Sequence, residues 1–386
     1  MNRSRLLRPL VGGMVVTWAA AAVAGCGDLG PAVPRVFTQI SVGWDNSCAL
    51  ASSGAAYRWG WNGAGELGTG SSSWESCGGA PCSTTPVPVL GRLRFSSVSV
   101  GDAAACGVTP GGVAYCWGDA VGLNVQVPNP DPRVLLTASL PVRVVGSLPF
   151  AAVSVGGSLV CGVAGTGAAY CWIGYPSTAP SAVAGNLLFS RLSSGDEHVC
   201  GVTLGGAAYC WGSNYYGQLG TGDINTDTLP AAVTGGIVFV SVTAGLDHSC
   251  GLTAAGAAYC WGRNSSGQLG VADTAQRLTP AAVQGGLVFS ALSAGDDHTC
   301  GLAVGRAYCW GSNRHGELGV GDSINRTVPT PVGGGLTFAD ISAGGDHTCG
   351  VTSSGGAYCW GWNLTGQLGD GTSADSPTPV AVGGPP

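Results

Sequence analysis

The sequence contains no lysine, and charged residues of all kinds make up only 9% of its 386 positions. The formal net charge is −6, and beyond the first eight residues the arginines form no basic cluster. Binding to nucleic acid depends on such clusters, because they neutralise phosphates. The composition therefore argues against a nucleic-acid partner and against attraction to an anionic membrane surface.

The sequence also lacks the short motifs that mark common enzyme sites. No Gly-x-Ser-x-Gly elbow, Walker loop, His-Glu-x-x-His pair or dinucleotide fingerprint occurs between a strand and a helix. We therefore expect no catalytic activity and no cofactor.

One stretch of sequence recurs seven times, and residues 198–212 contain it in full as HVCGVTLGGAAYCWG. The first cysteine of each copy is Cys48, Cys106, Cys161, Cys200, Cys250, Cys300 and Cys349. The usual step is about 50 residues, which is typical of repeat architectures.

The recurring stretch predicts a β-hairpin. Pairing Thr203 with Ala207 places Gly201 opposite Tyr209 and Cys200 opposite Cys210. The sixth copy lacks one loop residue, which would rotate a helix by about 100° but leaves the partners of a hairpin unchanged. We expect the tyrosine ring to cover the backbone of the facing glycine.

Each repeat supplies four short apolar segments, so the sequence predicts an all-β, seven-bladed β-propeller with four-stranded blades over residues 37–386. The segment before Phe37 lacks the Pro-x-x-Val pattern that precedes the other repeats, and Pro379 to Val382 is not followed by a hairpin. We therefore predict that the C-terminal strand closes the ring by completing the first blade.

The N-terminus has the pattern of a signal peptide. Three arginines precede an apolar run from Leu10 to Ala24, and the run ends in Val23-Ala24-Gly25-Cys26, which resembles the lipobox of bacterial lipoproteins. This resemblance implies a signal peptide over residues 1–25, lipidation of Cys26 and a lipid-anchored tether over residues 26–36. The protein would then lie outside the cytoplasm in the cell envelope, attached to the membrane at Cys26; the alternative is an ordinary cleaved signal.

Export favours disulfide bonds, because extracytoplasmic compartments are oxidising. Six repeats have facing cysteines, and a seventh pair brackets an insertion: Cys106–Cys116, Cys161–Cys171, Cys200–Cys210, Cys250–Cys260, Cys300–Cys309, Cys349–Cys359 and Cys77–Cys82. In the first repeat Arg58 replaces the second cysteine, so Cys48 is either a free thiol or bridged to the insertion. Zinc is disfavoured, since no Cys-x-x-Cys knuckle occurs.

Four of the five histidines occupy one repeat position: His198, His248, His298 and His347. A catalytic residue is normally unique, so we expect each to bond backbone between strands. The alternative is a ring of imidazoles that binds metal around a central channel, although three of seven members are missing. The recurrent acids Asp196, Asp247, Asp297 and Asp346 are expected to fix turns through local bonds to backbone. We predict no metal site.

The run GDDHTCGL at residues 295–302, followed by YCWGSN at 308–313 and GELG at 316–319, resembles the regulator of chromosome condensation repeat. The resemblance covers residues 37–384 and implies a seven-bladed propeller. That family includes eukaryotic guanine nucleotide exchange factors and the bacterial β-lactamase-inhibitor protein II. The third repeat lacks the Asn-x-x-Gly-x-Leu-Gly loop, and the second keeps only part of it.

Function in a symmetric scaffold is expected where the symmetry is broken. Irregular positions rich in aromatic residues and arginine give candidate partner-binding residues: Arg58, Trp61, Trp74, Glu75, Arg133, Tyr215 and Tyr216. The sequence thus favours a monomeric, non-catalytic scaffold that binds a protein partner whose identity the sequence does not reveal. The resemblance adds two alternatives, nucleotide exchange on a small GTPase and inhibition of a β-lactamase or a related cell-wall enzyme.

Overall fold

The computed structural model describes residues 35–383 except 72–74, 120–136, 147, 158 and 174–178. The predicted signal peptide, Cys26 and most of the tether lie outside the described residues, as do Trp74 and Arg133.

Seven antiparallel sheets, one for each repeat, form a seven-bladed propeller. The first three blades contain β1 (Phe37–Val42), β2 (Asn46–Ala51), β3 (Ala56–Trp61), β4 (Glu75–Cys77) and β5 (Ala80–Pro88); β6 (Ser97–Val100), β7 (Ala104–Val108), β8 (Ala114–Asp119) and β9 (Thr137–Arg143); and β10 (Phe150–Val155), β11 (Leu159–Ala164), β12 (Ala169–Ile173) and β13 (Ser181–Ala182). The fourth and fifth contain β14 (Phe189–Ser194), β15 (His198–Thr203), β16 (Ala208–Gly212) and β17 (Asp227–Ala232); and β18 (Ser241–Ala244), β19 (His248–Leu252), β20 (Ala258–Gly262) and β21 (Arg277–Ala282). The last two contain β22 (Ala291–Ala294), β23 (His298–Ala303), β24 (Arg306–Gly311) and β25 (Arg326–Pro331); and β26 (Phe338–Ala343), β27 (His347–Thr352), β28 (Ala357–Gly361) and β29 (Ser376–Ala381), with a turn of 3-10 helix at Gly333–Gly335 between these two blades.

The strands of a blade are antiparallel, so their connections lie at two opposite ends. One end holds the connections from first to second and from third to fourth strand, such as residues 195–197 and 213–226 of the fourth blade. We call it the mouth end. The other end holds the hairpin turns and the links to the next blade, such as residues 204–207 and 233–240, and we call it the hairpin end.

The predicted hairpin register is confirmed. Gly201 pairs with Tyr209 and Cys200 with Cys210, and in the shortened sixth copy Cys300 still pairs with Cys309. The seven predicted disulfides are present, and the six within hairpins have Cα atoms 4.0–4.1 Å apart. The Cys77–Cys82 disulfide joins β4 to β5 and gives the first blade a fifth strand.

The ring that covers the hairpin glycine is a phenylalanine, and in this respect the prediction was wrong. A Cβ added to Gly201 would lie 2.6 Å from Cδ1 of Phe189, which begins the first strand of the same blade. Gly251 has the same relation to Phe239. The glycine is therefore required because the phenylalanine occupies the space of a side chain.

The closing strand was also predicted wrongly. The C-terminal strand β29 pairs with β28 and completes its own blade, the seventh. The first blade has its own fourth strand in β5, so it needs no strand from the C-terminus. The ring closes instead by contacts between the first and last blades, where Asp340 Oδ2 accepts a hydrogen bond of 2.9 Å from the Ile40 amide.

The core consists of apolar clusters in the blades, such as the one that contains Phe239, Leu219 and Trp261. Leu219 comes from the fourth blade and Trp261 from the fifth, so packing between neighbouring blades buries both side chains completely. No helix among the described residues has the length and hydropathy needed to cross a membrane.

Candidate functional site

A ring of seven glycines surrounds the propeller axis at the mouth end. They follow the first strand of each blade: Gly43, Gly101, Gly156, Gly195, Gly245, Gly295 and Gly344. A Cβ added to any of them would lie 1.8–2.3 Å from the carbonyl oxygen of the next glycine, and Gly344 meets Gly43 in the same way. Only glycine allows this approach. The ring borders a cavity of about 70 Å³ that is also lined by Asp102, Asp196 and Asp296.

Carboxylates crowd this mouth, and burial raises their pKa values, with a further contribution from their mutual repulsion. Burial raises the pKa of Asp45 to about 6, and the charge of Asp346 adds to the effect. Burial also raises the pKa of Asp102 to about 6, with contributions from Asp196 and Asp45. The pKa of Asp296 is raised well above its usual value by burial and then by neighbouring acids. Asp45 and Asp102 are therefore mostly ionised at pH 7 and take up protons as the pH falls through about 6.

Glycine at position 157 makes room for two of these acids. A Cβ there would lie 1.7 Å from Oδ1 of Asp196 and 3.1 Å from Oδ2 of Asp102. The two carboxylates, which come from the fourth and second blades, thus meet over the backbone of the third.

Arg263 of the fifth blade and Tyr216 of the fourth blade lie beside the acids of the mouth. The Arg263 guanidinium lies 3.4 Å from Oδ2 of Asp247 and 3.6 Å from Oδ1 of Asp297. Its Cζ is 5.4 Å from the centre of the Tyr216 ring, in a cation–π contact. Tyr215, which precedes Tyr216 in the chain, is 72% exposed. The prediction that the acids fix turns through backbone was wrong for Asp247 and Asp297, whose carboxylates bond the side chains of Arg263 and the neighbouring glutamines.

Further aromatic residues lie at two junctions between blades, Trp44 where the last blade meets the first and Trp362 where the sixth blade meets the seventh. Trp44 is half-exposed and packs on the backbone of Gly345, where a Cβ would be 2.3 Å from Cδ1 of the indole. Trp362 lies 5.8 Å from the His315 ring, and His315 Nδ1 is 3.2 Å from Oδ2 of Asp375.

Four of the predicted partner-binding residues are described at the mouth end: Trp61, Glu75, Tyr215 and Tyr216. Trp61 packs on its own loop at Gly63, and Glu75 accepts hydrogen bonds from Thr84. Sequence reasoning missed Trp44 and Arg263. A signal for Trp44 existed, because the residue after the ring glycine varies between blades while its neighbours repeat.

Arg58 was predicted to bind a partner, and this was wrong. Its side chain is fully buried, bonds the Glu66 carbonyl and Oδ1 of Asn46, and lies over the Trp117 ring. Burial lowers its pKa to about 10, so it stays charged at neutral pH. It faces Cys48, which is a free, buried thiol whose pKa burial raises to about 12. No bridge therefore joins Cys48 to the insertion.

The repeated histidines join neighbouring blades. Their Nε2 atoms each lie 2.8 Å from a hydroxyl of the next blade: His198 from Ser249, His248 from Thr299, His298 from Thr348 and His347 from Ser47. The last pair links the seventh blade to the first. The expected bond to backbone between strands is thus replaced by a bond to a hydroxyl between blades.

Those hydroxyls settle the histidine tautomer. Each donates its hydrogen to a backbone carbonyl; Thr348, for example, donates to the Glu317 carbonyl at 2.8 Å. A hydroxyl has one hydrogen, so Nε2 must carry the proton and donate it. Burial keeps these rings neutral, because it lowers the pKa of His198 and His298 to about 4.

The described residues do not bring these histidines together as metal ligands. The group whose ligand atoms lie within 4.8 Å of one another is Glu75, Cys77 and Cys82. Those two cysteines are joined in a disulfide, so they offer no thiolate.

A family model described as Regulator of chromosome condensation (RCC1) repeat matches residues 205–252, 255–302, 304–351 and 354–386. A second model with this description matches 37–66, 189–218, 239–268, 289–317 and 338–367. The matches omit 67–188, where the second and third repeats depart from the pattern. Among curated proteins, none matches this chain.

Solved structures share the fold. Yeast RCC1 (Prp20), in a crystal structure with Kap60 bound to it, is 20% identical, with 90% of this chain and 85% of that chain covered and a TM-score of 0.73. The ectodomain of the Arabidopsis thaliana receptor kinase ACR4 is 19% identical, with 89% and 99% covered and a TM-score of 0.55. Human WBSCR16 is 18% identical, with 91% and 82% covered and a TM-score of 0.53.

Proposed function

Because the chain belongs to the regulator of chromosome condensation repeat family, we propose that it is a monomeric, non-catalytic scaffold that binds a protein partner at its mouth end. The observation that carries the proposal is the combination of exposed aromatic residues and crowded carboxylates at this end. Aromatic side chains such as Trp44 and Tyr215 supply large contact areas at interfaces. The carboxylates around Asp102 favour a partner with a basic surface.

We further propose that the protein is a lipoprotein of the cell envelope, anchored at Cys26 and facing away from the cytoplasm. The seven disulfides support an oxidising compartment. The lipobox-like sequence at residues 23–26 supports lipidation. Mass spectrometry of the mature N-terminus tests this directly: a diacylated Cys26 supports the anchor, and an unmodified terminus at another residue contradicts it.

The partner can be identified by crosslinking the tagged protein in intact cells and purifying the adducts. The discriminating comparison is between two double variants. Trp44→Ala with Tyr215→Ala should abolish capture of the partner, whereas Leu204→Ala with Val304→Ala, which alters similarly exposed residues at the hairpin end, should not. Capture that survives the first pair and is lost with the second would overturn the proposal.

A second candidate function, guanine nucleotide exchange on a small GTPase, draws support from the likeness of the fold to yeast RCC1. An exchange assay separates the two candidates. The scaffold proposal expects no acceleration of nucleotide release when the protein is added to small GTPases.

A further inference from the structure

Charge is segregated between the two ends of the propeller. No Asp or Glu occurs in any described connection at the hairpin end. Every described acid except Asp340, which lies within β26, is in a mouth-end connection or borders one. The negative net charge of the chain thus conceals an end whose described connections contain no acidic residue.

Five exposed arginines lie at this hairpin end, in its connections or at the strand residues that border them: Arg35, Arg92, Arg94, Arg143 and Arg306. None of them forms an ion pair with a carboxylate of the described residues. Three arginines of the mouth end behave differently, since Arg263, Arg277 and Arg326 pair with aspartates. Among the described residues, the hairpin end is therefore cationic, and no carboxylate there compensates its positive charge.

The same end exposes aliphatic side chains. Val304 at a hairpin tip is 93% exposed, Leu204 at another is 66% exposed, and Val238 and Val288 are 64% and 65% exposed. Val238 and Val288 directly precede the buried Phe239 and Phe289 in the links that lead to β18 and β22. Exposed aliphatic residues beside unpaired arginines are the combination that favours the interface of an anionic bilayer.

The chain also enters the propeller at this end. Arg35 is the first described residue, and the Phe37 amide donates to the Gly355 carbonyl of the seventh hairpin at 2.9 Å. If Cys26 is the anchor, residues 27–34 span at most about 28 Å. The tether would hold the hairpin end, and not the mouth end, next to the membrane.

We propose that the hairpin end is a membrane-apposed surface that lies on an anionic bilayer, with its aliphatic tips in the interfacial layer and its arginines beside lipid phosphates. The proposal rests on the envelope location proposed above for its setting in the cell. The net negative charge of the chain argues against attraction to such a membrane, but the arginines of the hairpin end would provide that attraction locally. The mouth end would face away from the bilayer and remain open to the partner.

The test uses residues 27–386 without the lipid, produced by export so that disulfides form. This part contains the whole closed ring, from the β1 contacts with the seventh blade to β29. Sedimentation with phosphatidylcholine vesicles that contain about 30% phosphatidylglycerol should show binding that weakens with salt, and vesicles of phosphatidylcholine alone should bind at least tenfold less. Such binding requires neither export in the cell nor a protein partner, so its failure would leave the scaffold proposal standing.

Two pairs of matched variants locate the surface. Arg92→Glu with Arg94→Glu should lower binding at least tenfold, whereas Arg314→Glu, an unpaired arginine at the mouth end, should not. Val288→Ser with Val304→Ser should lower binding about fivefold, whereas Ile324→Ser, which alters a mouth-end residue of 65% exposure, should not. No binding to the anionic vesicles, or equal losses from variants of both ends, would overturn the proposal.

Discussion

Replacing Thr348 by valine tests the bonds that hold neighbouring blades together. The Thr348 hydroxyl is buried, donates to the Glu317 carbonyl at 2.8 Å and lies 2.8 Å from Nε2 of His298. Valine keeps the shape but removes both bonds. The Nε2 proton and the carbonyl oxygen are then left unpaired in the interior.

The magnitude follows from those two groups. A buried polar group that loses its partner costs about 1–3 kcal/mol, so Thr348→Val should lower the free energy of unfolding by about 2–6 kcal/mol. Urea denaturation of the oxidised protein, followed by tryptophan fluorescence, measures this loss as a lower midpoint at unchanged slope.

Thr337→Val is the matched control, because Thr337 is exposed and the equivalent residues of the two preceding blades are Val238 and Val288. It should change the free energy of unfolding by less than about 0.5 kcal/mol. If Thr348→Val is no more destabilising than this control, the histidine–hydroxyl bonds do not stabilise the ring.

Three further predictions concern titration and reactivity. Burial lowers the pKa of His298 to about 4 in the native state, so only the unfolded state gains this proton as the pH falls from 6.5 to 4, and the free energy of unfolding decreases. In unfolding curves across this range, the free energy of unfolding of His298→Asn should decrease by about 1.4 kcal/mol less per pH unit than that of the parent. Identical slopes would contradict the assignment. Cys48 should resist maleimide in the native protein at pH 7 and react after unfolding, since its thiol is buried with a pKa of about 12; rapid native labelling would refute this. Because Asp45 and Asp102 have pKa values of about 6, a basic partner should bind more weakly at pH 5 than at pH 7. Titration calorimetry that finds equal affinities at the two pH values would refute the electrostatic part of the proposed function.

The blade architecture was predictable because its signals are local. The sixth repeat has one loop residue fewer between Cys300 and Cys309, yet the two cysteines still pair. This pattern identifies a hairpin from sequence alone. The blade that the C-terminal strand joins depends on contacts between distant segments of the chain. It was predicted wrongly because residues 86–89 give the first repeat a Pro-x-x-Val segment of its own.

The candidate binding residues were harder to predict, because the burial of a side chain depends on the register of a whole blade. Arg58 looked like a surface residue by composition, yet it occupies the buried position that a cysteine holds in the other hairpins. The segregation of charge was hidden in the net charge, and it becomes visible only once each connection is assigned to an end of the propeller.

Taken together, the two proposals give the ends of the propeller different partners, a protein at the mouth end and a membrane at the hairpin end. A photoreactive amino acid placed at Tyr215 in one version and at Val304 in another, followed by irradiation of intact cells, tests this directly. We expect a discrete protein adduct from position 215 and lipid adducts without protein from position 304. A protein adduct from position 304 with none from position 215 would contradict it.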